Sequence, residues 1–239
     1  GYVAGLLLPL CFPTKPRVQN LLAHGSAGLA SGAGILLGVT GLFAPEPWTA
    51  SVQSTIPFLS FAVRIDSLAS LFVLTISVAG LAASIYAIGY VTEFYGHASI
   101  AALGALFNGF LLSMTLVVIA DNGFFFLIVW EVMSLLSYFL VVTEHEKAEV
   151  RYAGFFYFVM THVGTAFIIL VFLIFFQAGG SFSFEAFRHP AQPLPEGMRT
   201  LVFLMALIGF GTKAGIVPLH VWLPYAHPSA PSHISALMS

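Results

Sequence analysis

Apolar residues fall in blocks of about twenty along this chain, broken by short polar stretches. A helix rises about 1.5 Å per residue, so roughly 20 apolar residues cross the hydrocarbon core of a bilayer. The blocks predict a partial span at 1–12 and full spans near 20–43, 66–92, 99–120, 122–142, 152–177 and 199–218. A second partial span begins near 232. The pattern is that of an all-α polytopic membrane protein.

Most connections are short. Residues 44–65 (APEPWTASVQSTIPFLSFAVRI) instead hold three prolines and an alternating tail, which reads as a small hairpin capping the outer face. Residues 178–198 (AGGSFSFEAFRHPAQPLPEGM) read as an ordered external loop. The segment TEHEKAEVR (143–151) carries most of the loop charge and reads as a solvated turn or a contact with a partner. In the span at 20–43, Gly25, Gly28, Gly32, Gly34, Gly38 and Gly41 recur at near-helical spacing, a surface on which a second helix can pack closely.

Composition agrees with the block pattern. The chain is 59% hydrophobic and 8% charged, where soluble domains are about 25% charged. Its net charge of −2 offers no footprint for nucleic acid. Cys11, the only cysteine, excludes an internal disulfide and any multi-cysteine metal or iron–sulfur site. The chain starts at Gly1 with a short apolar run, and Lys15 and Arg17 follow that run rather than precede it, unlike a signal peptide. With PSHISALMS at the other end reading as the start of a helix, the expectation is a piece of a longer protein. Lys15, Arg17, Lys147 and Arg151 fall on one side of the spans, and Arg64, Arg188 and Arg199 on the other. The positive-inside rule then puts the first set in the cytoplasm.

Two charges interrupt the apolar blocks. Glu131 lies inside DNGFFFLIVWEVMSLLSYFLVV (121–142), and Lys213 inside MRTLVFLMALIGFGTKAGIVPL (198–219). A charge at the bilayer centre costs roughly 2.5–3.5 kcal/mol on insertion scales, so such residues usually face the protein interior or water and mark ion pathways. One acid and one base in separate spans suggest a protonatable pair. On a helix, Ser134 and either Ser137 or Tyr138 share the face of Glu131. The alternative for Glu131 is a structural hydrogen bond to a neighbouring helix, and for Lys213 it is snorkelling toward the interface. Pro218 lacks an N–H, so the carbonyl of Ala214 loses its helical partner, and Gly209, Gly211 and Gly215 weaken the same helix. Broken helices at membrane depth are a device of transporter ion sites.

The histidines are the remaining titratable candidates. His162 is mid-span beside Thr161 and Thr165, placed either for proton relay or for a contact between helices. His220, His227 and His233 lie in a stretch broken by Pro218, Pro224, Pro228 and Pro231, which must be a helix end, a loop and a new helix that Ser232 is placed to cap. Their spacing is irregular and no carboxylate is near, so a proton route or plain loop structure outweighs a metal site. Asp66, Asp121, Asn122 and Glu93, at span ends, read as structural.

The segment IVWEVMSLLSYFLV, followed by GTKAGIVPLHVWLPYAHPSAPSHISALMS with its lysine 82 positions after the glutamate, resembles the antiporter-like proton-translocating subunits of respiratory complex I and Mrp-type antiporters. RIDSLASLFVLTISVAGLAASIYAIGYV extends the likeness, which covers residues 61–239. The stretch AHPSAPSHISALMS resembles the hydrogenase-4 and formate hydrogenlyase branch. His233 precedes Ser-Ala-Leu there, and Ser239 stands where complex I subunits carry a histidine. The resemblance implies the N-terminal part of a fold of about fourteen helices with inverted five-helix repeats. It also implies that Glu131 and Lys213 are the charged residues of a proton path, Lys213 lying in a broken helix. Two regions follow: N-terminal transmembrane helices with an external loop at 1–65, and the translocating domain at 66–239.

The expected function is therefore ion translocation by a multi-pass subunit of the cell inner membrane, in a redox-driven complex of hydrogenase-4, formate hydrogenlyase or NADH:quinone oxidoreductase type. Glu131, Lys213, His162, His220 and His233 would carry protons, with the helix break at Pro218. Expected partners are other membrane subunits, a peripheral redox module and lipid. The chain has no motif for nickel, flavin or iron–sulfur clusters, so it is expected to hold no cofactor, metal or catalytic residue of its own. The rival readings are a Na⁺/H⁺ antiporter subunit of Mrp type, a haem- or quinone-binding anchor using His162 and His220, and a purely structural anchor.

Overall fold

The computed structural model describes residues 1–239. A short helix α1 (Tyr2–Leu7) runs through a tight turn to Cys11, and α2 (Pro16–Leu42) starts on a proline, whose missing N–H costs nothing in a first turn. The segment between the first spans forms the expected hairpin. Its strands, β1 (Trp48–Gln53) and β2 (Ser60–Ile65), pair antiparallel with Trp48 opposite Ile65 and Gln53 opposite Ser60. Then follow α3 (Ser67–Tyr90), α4 (Ile100–Ile119), α5 (Gly123–Val141) and α6 (Ala148–Gly179). Side chains set their starts: Asp66 accepts from the Ala69 N–H, Ser99 from Ala102 and Asn122 from Phe125. The loop after α6 holds the short α7 (Phe184–Arg188), and the chain ends in α8 (Glu196–Ala214), α9 (Leu223–Ser229) and α10 (Ser232–Met238).

Six helices are long and apolar enough to cross a membrane, and they match the six full spans read from the sequence. Their packing reverses the soluble pattern. Large apolar residues such as Leu29, Leu36, Ile85, Phe155 and Phe203 point outward, while Phe107, Leu111, Leu140 and Ile168 fill the interior and small residues set the closest crossings. Where α2 crosses α3, Gly34, Gly38 and Gly41 face Ser77, Leu74 and Ser70 so closely that a Cβ would collide. Lipid removes the hydrophobic drive between helices, so close backbone approach through small residues takes its place. Gly34, Gly38 and Gly41 thus form a packing surface, whereas Gly25 and Gly32 face open space and Gly28 makes only ordinary contact, so half of the glycine series serves the crossing.

The helix ends sort into two faces. At one, the hairpin, Arg64, Asp66, Asp121 and Arg188 gather around a cavity of about 460 Å³. Isolated bridges from Val63 to Ala120 and from Asn122 to Ser183 tie the hairpin and the α6–α8 loop to this face. At the other, His97, Thr143 and His145 lie together, and Lys147 pairs with Glu144 at 2.7 Å.

Two local expectations change. The span read as 199–218 stops sooner: Gly215, at φ 74°, ends α8 after Ala214, and the Ile216 N–H turns back to the Gly211 carbonyl at 2.9 Å. Glycine reaches this left-handed conformation without a Cβ clash, so it stops the helix before Pro218 can. Pro218 lies inside the break. Ser232 does not cap α10; Pro231 holds that position and the Ser232 N–H points to the Tyr90 hydroxyl at 3.4 Å.

Candidate functional site on helices α5, α6 and α8

Helix α5 presents Glu131, Ser134 and Ser137 along one side, about 1.5 Å of rise per residue apart. Helix α6 runs beside it with Tyr157 and His162, and α8 brings Lys213 at its last turn. The crossing of α6 and α8 is set by Gly164 and Gly209. A Cβ on Gly209 would lie 2.9 Å from the Gly164 carbonyl and 2.6 Å from Ile168. Only the absence of a side chain there lets Lys213 reach α5.

Glu131 and Lys213 do not pair with each other. Glu131 Oε2 meets His162 Nε2 at 3.1 Å, with about a third of each side chain exposed. His162 Nδ1 lies 2.8 Å from the Phe158 carbonyl, which only accepts, so Nδ1 carries a hydrogen. A hydrogen bond between Nε2 and the carboxylate therefore requires one shared proton, as imidazolium–carboxylate or imidazole–carboxylic acid. Glu131 Oε1 is buried without a partner.

Lys213 Nζ donates to the Tyr157 hydroxyl at 3.1 Å and approaches Ser134 Oγ at 3.5 Å. Ser137 Oγ donates to the carbonyls of Met133 and Ser134, so Tyr157 donates its own hydrogen to Ser137 at 2.7 Å. Ser134, Ser137 and Tyr157 are each 1% exposed. The ammonium also lies 5.9 Å and 5.5 Å from the ring centres of Trp130 and Tyr157. A cavity of about 460 Å³ beside Lys213 is lined by Met133, Tyr157, Trp222 and Leu237. Lys213 is thus held inside the bundle by neutral hydroxyls and aromatic faces, not by an acid and not by snorkelling.

The break in the last span is closed by Trp222, whose indole N–H donates to the Thr212 carbonyl at 2.8 Å. The histidines beyond it disperse. His220 lies in the turn at Leu219–Trp222 with Nδ1 buried and unpartnered. His227 bonds Ser235 at 3.0 Å. His233 is buried against His24, Tyr90 and Phe107 and bonds neither Glu131 nor Lys213. Of the face-mates offered by sequence, Ser137 joins the network and Tyr138 packs on Phe158. Tyr157 was not singled out from the sequence. Its signal is Tyr157, Thr161 and Thr165, polar residues four apart on the buried face of α6.

A multi-pass membrane helix bundle with a carboxylate and a lysine inside two spans that both pack against α6, the lysine at a helix break, defines an antiporter-like membrane subunit. The chain belongs to the NADH:quinone oxidoreductase/Mrp antiporter transmembrane family, which it matches over residues 120–239. It is 41% identical over 222 residues to hydrogenase-4 component B of Escherichia coli strain K12, covering 91% of this chain and 32% of that protein. It is 28% identical to formate hydrogenlyase subunit 3 of the same strain, over 100% of this chain and 36% of the relative. The chain therefore spans about a third of the length of these relatives. In fold it is similar to the Mrp complex of Dietzia sp. DQ12-45-1b, with a TM-score of 0.82 at 18% identity, over 99% of this chain and 25% of that one.

Proposed function

We propose that this chain is the proton-translocating part of a redox-driven membrane complex of the hydrogenase-4 or formate hydrogenlyase type, seated in the cell inner membrane with Lys15, Arg17, Lys147 and Arg151 at the cytoplasmic end. The supporting observation is a pair of protonatable centres inside the bundle, Glu131–His162 and Lys213–Tyr157, one helical turn apart along α5. The 41% identity to hydrogenase-4 component B favours this branch. Electron-transfer centres would lie in a peripheral module and in neighbouring membrane subunits, with none in this chain.

Glu131 and His162 hold one proton between them, and Lys213 holds another on the far side of Ser134. A charge shift in a neighbouring subunit alters which arrangement is favoured. Moving one charge against 100 mV costs roughly 2.3 kcal/mol, which sets the size of the rearrangement the partner subunits must supply. His162 has Nδ1 on Phe158 and Nε2 on Glu131, which leaves neither nitrogen free for haem iron.

The test uses the full-length subunit assembled in its complex. E131Q and K213M should abolish turnover-driven proton uptake by membrane vesicles while electron transfer and assembly persist. Normal uptake in the assembled double variant overturns the proposal. Sodium-dependent transport without any redox partner would move the reading to a Na⁺/H⁺ antiporter subunit.

A further inference from the structure

The loop between α6 and α8 leaves two arginines at the hairpin end of the bundle. Arg188 ends α7 and Arg199 lies in the first turn of α8, so both stand where that span begins. Both are exposed. Arg188 shares Glu185 with His189, at 3.5 and 3.6 Å, and also borders the hairpin-face cavity that holds Asp121. Arg199 takes part in none of the chain's ion pairs.

The two arginines line one cleft of about 550 Å³ between α6, α7 and α8. Beneath them the walls are apolar. Val202 and Phe203 follow Arg199 at the third and fourth positions along α8, which places them on its face. Phe175 of α6, stacked on Phe187 with ring centres 5.2 Å apart, forms the opposite wall, and Leu194 comes from the loop. No acidic side chain lines the cleft. Phe203 is exposed, so the lower part of the cleft opens on the lipid-facing side of the span.

Two cations above an aromatic wall, at the depth where a span starts, have the shape of a site for an anionic amphiphile. Guanidinium groups hold phosphate through paired N–H donors, and basic pockets between membrane helices take anionic head groups. We infer that this cleft binds an anionic phospholipid, with its phosphate on Arg188 and Arg199 and an acyl chain against Phe203 and Phe175. Arg199 supplies most of the attraction, because Glu185 offsets part of the charge on Arg188. Inorganic phosphate gains nothing from the apolar walls, and a zwitterionic lipid brings a cation of its own toward the two guanidiniums. Lipid binding there requires only that the helices cross a membrane. It does not depend on how Glu131 and Lys213 handle protons.

The test uses the full-length subunit assembled in its complex, in phosphatidylcholine nanodiscs carrying a trace of photoactivatable phosphatidylglycerol with the reactive group on an acyl chain. Peptide mapping should find adducts at Phe175 and on the turn from Arg199 to Phe203. R188Q/R199Q should lower this labelling about tenfold, with R199Q alone giving most of the loss. K15Q, at the opposite end of the bundle, should leave it unchanged. R199Q breaks no ion pair, so it carries the test where the double variant fails to assemble. A photoactivatable phosphatidylcholine should label the cleft far less, and excess inorganic phosphate should not displace the anionic lipid. Equal labelling by the two lipids, labelling that survives R199Q, displacement by inorganic phosphate, or a cleft that takes no label in the assembled complex overturns the inference. None of these readouts involves proton uptake, so they stand apart from the outcome with E131Q and K213M.

Discussion

Lys213 and Tyr157 meet across the α8–α6 crossing, the ammonium donating to the phenol at 3.1 Å while the phenol donates onward to Ser137 at 2.7 Å. Tyr157 therefore polarises in one direction, with its lone pairs toward the lysine. In Y157F the ammonium keeps the aromatic face and loses the acceptor. A hydrogen bond to a charged group is worth about 1.5–3 kcal/mol, so turnover-coupled proton uptake should fall roughly ten- to a hundredfold. The measurement is vesicle acidification at matched electron-transfer rates. An unchanged proton yield would remove Tyr157 from the path.

The proposed sharing of a proton between Glu131 and His162 has a spectroscopic consequence. Infrared difference spectra taken across turnover should contain a carboxyl band that disappears in E131Q and shifts in H162Q. In H162Q the amide donates a hydrogen bond to Glu131 but cannot exchange a proton with it, so transport should fall at least tenfold while assembly stays within a factor of about two. A carboxyl band indifferent to H162Q would show that the two groups act separately.

Much of this arrangement was legible in the sequence, and the physical reasons for the rest are specific. Glu131 and Lys213 stand out because an apolar block has no other use for a charge, and helix periodicity finds Ser134 and Ser137 beside Glu131. Which partner each charge takes is decided by the rotation of α6 and α8 about Gly164 and Gly209, a contact between segments that no periodicity within one helix encodes. Pro218 pointed to the helix break, yet the stop falls at Gly215 because the left-handed cap is reached first.

The glycine crossing is testable by overpacking. In G209L the added side chain must displace Ile168 or push α8 off α6, at a cost of about 1–3 kcal/mol. The variant should show a lower thermal midpoint and lose transport even though Lys213 is intact. G197L, at a site on the same helix with open space around the added Cβ, should do neither.

Two acids on the hairpin face should respond oppositely to pH. The Ala69 N–H, then Arg64, holds the Asp66 carboxyl below its ordinary 3.8, against burial, which raises it. Its stabilising effect is complete above about pH 3.8 and is lost as pH falls through the lower folded value. Burial pushes Asp121 up from 3.8, against the opposing pull of Arg64 and Arg188. Its charged form therefore weakens the fold above that raised value, and the penalty is relieved as pH falls toward 3.8. At pH 7, D66A should lose about 1 kcal/mol through the missing helix cap, and D121N should melt higher than wild type. Thermal unfolding at pH 7 and pH 4.5 checks both signs, and the advantage of D121N should shrink at the lower pH. A D121N protein that melts lower at pH 7 would contradict the burial argument.

The Trp222 indole bonds the Thr212 carbonyl, the group immediately before Lys213, and so couples the far side of the break to the lysine. That carbonyl accepts at the end of α8, where the helix leaves carbonyls unpaired and where its dipole favours a cation. W222F keeps the ring packed on Tyr157, whose centre is 5.0 Å away, and deletes only the N–H. The carbonyl then keeps only the 3.3 Å bond from the Gly215 N–H, a loss of about 0.5–1.5 kcal/mol that loosens the last turn of α8. Loosening would carry Lys213 away from Tyr157, so W222F should reproduce part of the Y157F transport defect, and the double variant should be little worse than Y157F alone. Additive losses would mean instead that Trp222 serves the packing of the break without setting the position of the lysine.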